Sequence, residues 1–233
     1  MLRTFMENRS GMDVIDILNL MFAYAVILLL VLPVHELAHA GAAYALGDKT
    51  AKWQGRLSLN PFKHLDLWGS LMILTVGIGY AKPVPVNPYN LRHGRRDMAL
   101  VSLAGPLSNL LMAVVTVGLF RLILEFSPEW DTVEILWNIL INTIVSINIS
   151  LAVFNLLPIP PLDGSRLWSS LLPGRWAYTI EAYSQYITIA LFIVLFMGVL
   201  DGPLNTLHSA VFDGLDTLFG VSERLTLLFL TGH

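Results

Sequence analysis

The chain has 233 residues, 55% of them hydrophobic and only 13% charged, with a formal net charge of -3. Soluble domains carry about 25% charged residues, so this composition belongs in a membrane, and its slight acidity excludes a protein that holds nucleic acid by charge. There is no cysteine, which excludes disulfides and thiolate metal sites and leaves His, Asp and Glu as the available metal ligands.

Residues 1–13 are polar and carry Arg3 and Arg9. A signal peptide cleaved among the small residues Ala38 to Ala43 would be long in its apolar part, so the segment is read as a retained helix. That helix is expected over 14–46. Its stretch from Leu20 to Leu32 holds no charge, and Pro33 removes one backbone hydrogen bond and predicts a kink. His35-Glu36-Leu37-Ala38-His39 follows directly. Residues four apart share a helix face, so His35 and His39 can bind one metal ion together. Glu36 is turned about 100° away, placed to act on a water without being a ligand. Ionisable groups at membrane depth are expensive, and three of them together imply a functional site.

Gly47 to Asp66 reads as a polar connector in which His64 is solvated. Leu67 to Tyr80 is apolar but shorter than the about 20 residues of a straight span, so a re-entrant or shallow segment is expected. Lys82-Pro83-Val84-Pro85-Val86 reads as extended. It could offer an unpaired edge to which an unwound substrate adds as a strand. Spanning helices are expected over Met98 to Glu125, Val133 to Leu157 and Tyr178 to Leu200, with Ser127 to Asp131 as a short acidic turn. Leu204, Leu207, Val211, Leu215 and Leu218 form a stripe at helical spacing, which predicts an amphipathic helix docked on the bundle or lying at the interface. The fold class expected is an all-α polytopic transmembrane bundle, with a short re-entrant or extended element between the first two long spans. Residues 1–233 form one domain, with a core of about 14–202 and an amphipathic region over 203–233.

Of the 14 Lys and Arg, eight lie in 47–97 and two in 158–176. By the positive-inside rule these connectors are cytoplasmic. The His-Glu-His motif and Asp163 then lie at similar depth on the same side, and His35, His39 and Asp163 would complete the three protein ligands of a catalytic zinc. The protein is thus expected in the cell membrane as a multi-pass chain, with its active site near the cytoplasmic side.

The second element, Asn155-Leu156-Leu157-Pro158-Ile159-Pro160-Pro161-Leu162-Asp163-Gly164, closely resembles a signature of the site-2 proteases, the intramembrane zinc metalloproteases of peptidase family M50. Leu57 to Pro61, Ala81 to Pro88 and Ala104-Gly105-Pro106-Leu107-Ser108-Asn109 look like the compact bacterial branch, without a PDZ insertion. The resemblance covers roughly residues 20–200. It implies one Zn2+ per chain on His35, His39 and Asp163, and Glu36 as general base. It also implies Asn155 as a residue that polarises the substrate carbonyl or orients a ligand, and Asn109 as a site-lining residue. The implied activity is hydrolysis of a peptide bond in or near the transmembrane segment of a membrane protein, in regulated intramembrane proteolysis. The implied partners are a single-span substrate and the lipid bilayer. Two other readings fit a buried His and Asp group. One is a metal-ion carrier, which has little need of Glu36 and would more often show two related halves. The other is a non-catalytic scaffold, against which the intact His35, Glu36, His39 and Asp163 set argues.

Overall fold

The computed structural model describes residues 14–76, 79–126 and 129–231. Arg3, Arg9 and Ser127, which entered the sequence reading, lie outside the described residues. Every regular element among those described is helical. Three helices, Ile17–Ala45, Arg95–Leu124 and Trp130–Asn155, are long and apolar enough to cross a membrane, and the chain is a membrane protein.

The first of these consists of α1 (Val14–Val26), a π turn at Ile27–Val31 and α2 (Leu32–Ala45). The π turn has a local cause. Pro33 offers no N–H to the carbonyl of Leu29, and its ring would collide with that carbonyl in a regular helix, so the chain widens by one residue just before the proline. Where a kink is expected at Pro33, the helix carries a π turn, one turn ahead of His35.

Between the first two spans lies a connector of short elements. After α3 (Thr50–Trp53), two short 3₁₀ turns at Pro61–Lys63 and Pro88–Asn90 are each opened by an asparagine. Asn60 Oδ1 accepts the Phe62 N–H at 3.1 Å, and Asn87 Oδ1 accepts the Tyr89 N–H at 3.0 Å. Both Asn-Pro pairs are thus helix starts, with an Asn cap and a Pro at the first position. Helix α4 (Leu67–Val76) has only 10 residues, too few to cross. The chain then runs extended back over it, and a Cβ at Gly69 would overlap the Tyr80 carbonyl. This is the short element expected between the spans.

The extended stretch is tied to the loop beneath it. The Lys82 N–H donates to the His64 carbonyl at 2.8 Å, and Arg56 donates to the Lys82 carbonyl. Asp48 accepts from Asn87 N at 2.7 Å and from Asn90 Nδ2 at 3.0 Å. Burial raises the Asp48 pKa, but bonds from Thr50, Asn90 and Asn87 outweigh it and hold the carboxyl below its usual range. His64 is fully buried rather than solvated, and its Nε2–H donates to the Ser58 carbonyl at 2.6 Å. A charge-rich loop in sequence has folded into a small packed unit, because its polar side chains have the next loop's backbone to bond.

Helix α5 (Arg95–Leu124) is the centre of the bundle and packs against α2, α7 and α8. The third span runs as α6 (Trp130–Leu136), a π-helical stretch (Trp137–Val145) and α7 (Ser146–Asn155). Thr143 and Ser146 hydroxyls donate to the carbonyls of Asn138 and Ile141, five residues back, as a widened turn permits. Helix α8 (Asp163–Leu171) returns to α5.

Two expectations need correction. Tyr178 to Leu200 is not one straight helix: α9 (Gly174–Ala182) and α10 (Ser184–Phe196) meet at a bend of 65°. The exposed Trp176, Tyr178, Tyr183 and Tyr186 cluster around it, as amphipathic rings do at the edge of the hydrocarbon. In α11 (Asp201–Phe219) the packed stripe is Leu204, Val211, Phe212, Leu215 and Phe219, against the core around Phe120 and Ile149. Leu207 and Leu218 point outward, because a 3.6-residue repeat carries the seam through 212 and 219 instead. Helix α12 (Val221–Thr231) closes the same core through Val221 and Leu228.

This arrangement sets a topology. Cysteines replacing Arg95 and Trp130, on a chain with none of its own, should label from opposite sides of a sealed membrane. Labelling of both by one impermeant reagent from one side would overturn the single crossing between them.

Candidate metal centre and active site

The face of α5 toward α2 is stripped of bulk. Ser102, Gly105 and Asn109 are buried and spaced three and four residues apart, so they share that face. At Gly105 a Cβ would stand 2.6 Å from His35 Nε2 and would collide with His39 as well. Glycine is therefore what lets α5 approach the two imidazoles. Gly164 does similar service in α8. A Cβ there would run into the carbonyl oxygens of Leu156 and Leu157, so the Asp-Gly pair is not a turn but the close-packed start of a helix that brings Asp163 inward.

The result is a triangle of ligand atoms. His35 Nε2 lies 3.0 Å from His39 Nε2 and 3.1 Å from Asp163 Oδ2, and His39 Nε2 lies 3.2 Å from the same oxygen. Both histidines are buried. Among the described residues these three are the one group of His, Asp and Glu able to hold a metal ion. Ligand atoms at about 2.0–2.2 Å from a tetrahedral zinc stand roughly 3.3 Å apart, so the triangle fits zinc closely.

The chemistry of the donors agrees. His39 Nδ1–H donates to the Val101 carbonyl at 2.7 Å, which leaves a lone pair on Nε2. His35 Nδ1 lies 3.2 Å from the Asn109 side-chain amide. The two ends of an amide are interchangeable in placement. With Oδ1 toward the ring, His35 Nδ1–H donates to it, and His35 Nε2 also offers a lone pair. Two lone pairs and a carboxylate oxygen then converge at about 3 Å, an arrangement that a bound cation satisfies.

Glu36 stands beside the triangle. It lines a cavity of about 60 Å³ together with His39, Val84, Ser102, Asp163 and Arg166, enough for a few waters. Its Oε2 accepts the Val84 N–H at 3.0 Å. This corrects the expectation of a free strand edge over Lys82 to Val86. Pro83 and Pro85 have no N–H, Lys82 N is bonded to His64, and the one donor between the two prolines is spent on Glu36. The prolines pin the strand and isolate a single N–H that orients the carboxylate.

Asn155 is the last residue of α7. Its Nδ2 donates to the Leu151 carbonyl at 3.0 Å, and it is not among the residues lining the cavity. Sequence reading passed over Ser102, Arg166 and the Val101 carbonyl. The signal available was the small and polar spacing of Ser102, Gly105 and Asn109 in an otherwise apolar span. Arg166, one turn after Asp163, also lines an adjoining groove of about 440 Å³ with Pro160, Pro161, Glu181 and Thr188. No hydrogen bond or ion pair to its guanidinium occurs among the described residues.

Comparison with known proteins matches residues 125–199 to peptidase family M50. Over 191 residues the chain is 42% identical to "Putative zinc metalloprotease YwhC" of Bacillus subtilis, covering 77% of this chain and 82% of that protein. The chain belongs to peptidase family M50. It is a zinc metalloprotease. It is also 32% identical over 201 residues to Rip2 of Mycobacterium tuberculosis (strain Erdman), covering 82% of this chain and 71% of that one. With MJ0611 of Methanocaldococcus jannaschii it shares 33% identity over 147 residues, 61% of this chain and 66% of the other. Both are named as YwhC is, as zinc metalloproteases. No solved structure matches.

Two substitutions probe this M50 site. Gly105→Ala should lower zinc content as steeply as His39→Ala does, although alanine favours a helix by about 1 kcal/mol; full zinc content by elemental analysis would mean that α5 does not approach as closely as described. Val84→Pro deletes the donor to Glu36, whereas Val84→Ala keeps it. The first should depress turnover at least tenfold (on the order of the worth of a buried hydrogen bond to a charged group) with zinc retained, and the second should not. Equal loss in both would assign the effect to the side chain.

Proposed function

We propose that this M50 peptidase cuts a peptide bond in or beside the transmembrane helix of a single-span membrane protein, as in regulated intramembrane proteolysis. His35, His39 and Asp163 hold the zinc, and Glu36 acts as general base. The observation that carries the reading is the convergence of Asp163 Oδ2, from α8, with two Nε2 atoms held on a helix long and apolar enough to span a bilayer, with the Glu36 carboxylate beside them. A soluble peptidase has no need of its ligands on such a helix.

Bound zinc supplies Lewis acidity, lowering the pKa of a coordinated water to about 7 and polarising a carbonyl. The chain's own groups do the rest. Glu36 takes the proton of the attacking water and later delivers it to the leaving nitrogen. Val84 N–H holds Glu36 in place for both transfers, and Val101 and Asn109 hold the imidazoles in the ligating tautomer. Asn155 is assigned a supporting role at the end of α7, polarising the substrate carbonyl or orienting a ligand once it leaves the Leu151 carbonyl.

The site is assigned to the cytoplasmic side of the cell membrane, since the connectors flanking it hold most of the Lys and Arg. A regular transmembrane helix shields its peptide bonds, so the substrates are helices with Gly, Pro or Asn near the cut. An unwound segment can lie along the groove beside Arg166 and enter the cavity past that residue.

Membrane fractions from cells with wild-type protein and with Glu36→Gln separate the possibilities. Transmembrane fragments should accumulate only with wild type, and the variant should keep about one zinc per chain. Activity of Glu36→Gln within about tenfold of wild type would assign the base elsewhere. Fragments drawn only from soluble proteins would overturn the intramembrane reading.

A further inference from the structure

One buried polar group in the catalytic cavity has no protein partner among the described residues. Ser102 is 2% exposed and lines the cavity with Glu36, His39 and Asp163. Its Oγ has no hydrogen-bond partner among the described residues. A serine inside a helix ordinarily bonds its hydroxyl to a carbonyl three or four residues back, and in this chain Ser108, Ser165 and Ser170 each do so. Ser102 does not, although a buried unmade hydrogen bond costs about 1–3 kcal/mol.

The backbone at the same residue is open as well. Pro106 lies inside α5 and has no N–H to offer the Ser102 carbonyl. Ser102 therefore sits where the helix loses a rung, one turn from Gly105, against which the two imidazoles pack. Its neighbour Val101 already serves the site by accepting from His39. A helix position that keeps a buried hydroxyl unbonded beside a catalytic carboxylate is a donor held in reserve for something that enters the cavity.

The entering group that most needs a donor is the scissile carbonyl oxygen. When water adds to the carbonyl carbon, the C=O π pair moves to oxygen and the water's proton goes to Glu36. Zinc, when bound, would take part of this charge, and a fixed donor beside it stabilises the oxygen further in a cavity that Glu36 and Asp163 also line. The Asn155 amide donates to Leu151 and does not line the cavity, so it has to move before it can serve this oxygen. Arg166 lines it but belongs to an exposed part of α8, whereas donors fixed before the reaction stabilise developing charge best.

We propose that Ser102 is a further catalytic residue, whose hydroxyl donates to the scissile carbonyl oxygen as that oxygen becomes negative. The inference rests on the peptidase reading above. Ser102 keeps its own proton throughout. The C–N bond then breaks, its electron pair stays on nitrogen, and Glu36 supplies the proton, leaving a carboxyl terminus and an amine.

The test uses the full-length protein in liposomes with a single-span helix carrying a Gly-Pro pair near its cytoplasmic end. Binding of a short phosphinic pseudopeptide, which mimics the tetrahedral state, is measured in parallel. Ser102→Ala should keep its zinc and its thermal midpoint, since the hydroxyl has no protein partner among the described residues. Its KM should stay within about twofold of wild type while kcat falls about 10²-fold, as for loss of one oxyanion donor. Phosphinate affinity should fall in proportion, and Ser102→Thr, which keeps the hydroxyl, should restore most of both.

Ser102→Ala that matches wild type in kcat and in phosphinate affinity overturns the proposal. So does a lowered midpoint with zinc loss, which marks a structural role, or a failure of wild type to bind the phosphinate. If wild type leaves the single-span helix intact, the intramembrane reading fails, and the phosphinate comparison alone then decides the role of Ser102.

Discussion

Three ligand atoms about 3 Å apart, drawn from helices more than 120 residues apart in the chain, set the terms for the rest of this structure. Two lone pairs and a carboxylate cannot be held together in hydrocarbon unless something rigid surrounds them and a cation joins them. The bundle supplies the rigidity. Helix α5 lies against α2 with a glycine at the point of contact, and α8 lies against the end of α7 with another. Each glycine removes the one atom that would keep two backbones apart. The Val101 carbonyl and the Asn109 amide then fix the imidazoles from behind. The metal site is therefore as much a property of α5, which contributes no ligand, as of the helices that do.

Proline works at three levels here, each time by what it lacks. Pro33 widens the first span into a π turn just before the histidines. Pro106 frees the Ser102 carbonyl inside the central helix. Pro83 and Pro85 leave Val84 as the single donor of the stretch between them, and that donor is on Glu36. In water a missing N–H would matter little. In a membrane every backbone group must be satisfied within the protein, so each missing donor redirects a neighbour, and in all three cases the neighbour belongs to the active site or lies beside it.

The connector between the first two spans joins the site to its surroundings. It carries most of the basic residues, yet Asp48, Arg56 and His64 within it are buried and used to hold down the extended stretch over 82–90. The strap thereby presses Val84 onto Glu36 from one side while α5 closes the other. The cavity left between them is small and polar, and its continuation past Arg166 into a larger groove gives an extended chain somewhere to lie outside it.

The sequence by itself determined the class of protein and its donor set. Low charge and long apolar runs made a membrane bundle unavoidable, and His35, Glu36 and His39 are separated by spacings that any helix turns into one face and a neighbour. The Leu-Asp-Gly element and the Asn-Pro pairs are likewise local, with meaning carried by one or two bonds. What only the tertiary structure decided is who meets whom. Val84 reads as a free edge because nothing nearby in sequence competes for its N–H; the competitor is Glu36, 48 residues away. His64 reads as solvated because the carbonyl it serves and the strand above it are invisible to periodicity. Leu207 and Leu218 read as part of a docking stripe because the spacing of five apolar residues cannot say which side of α11 faces Phe120 and Ile149. Ser102 is the same case in reverse, one small residue in an apolar helix whose importance comes from the glycine one turn away and from two imidazoles on another helix. Local rules fix which groups a residue offers; packing alone fixes which of those offers is taken up, and an active site is built from both.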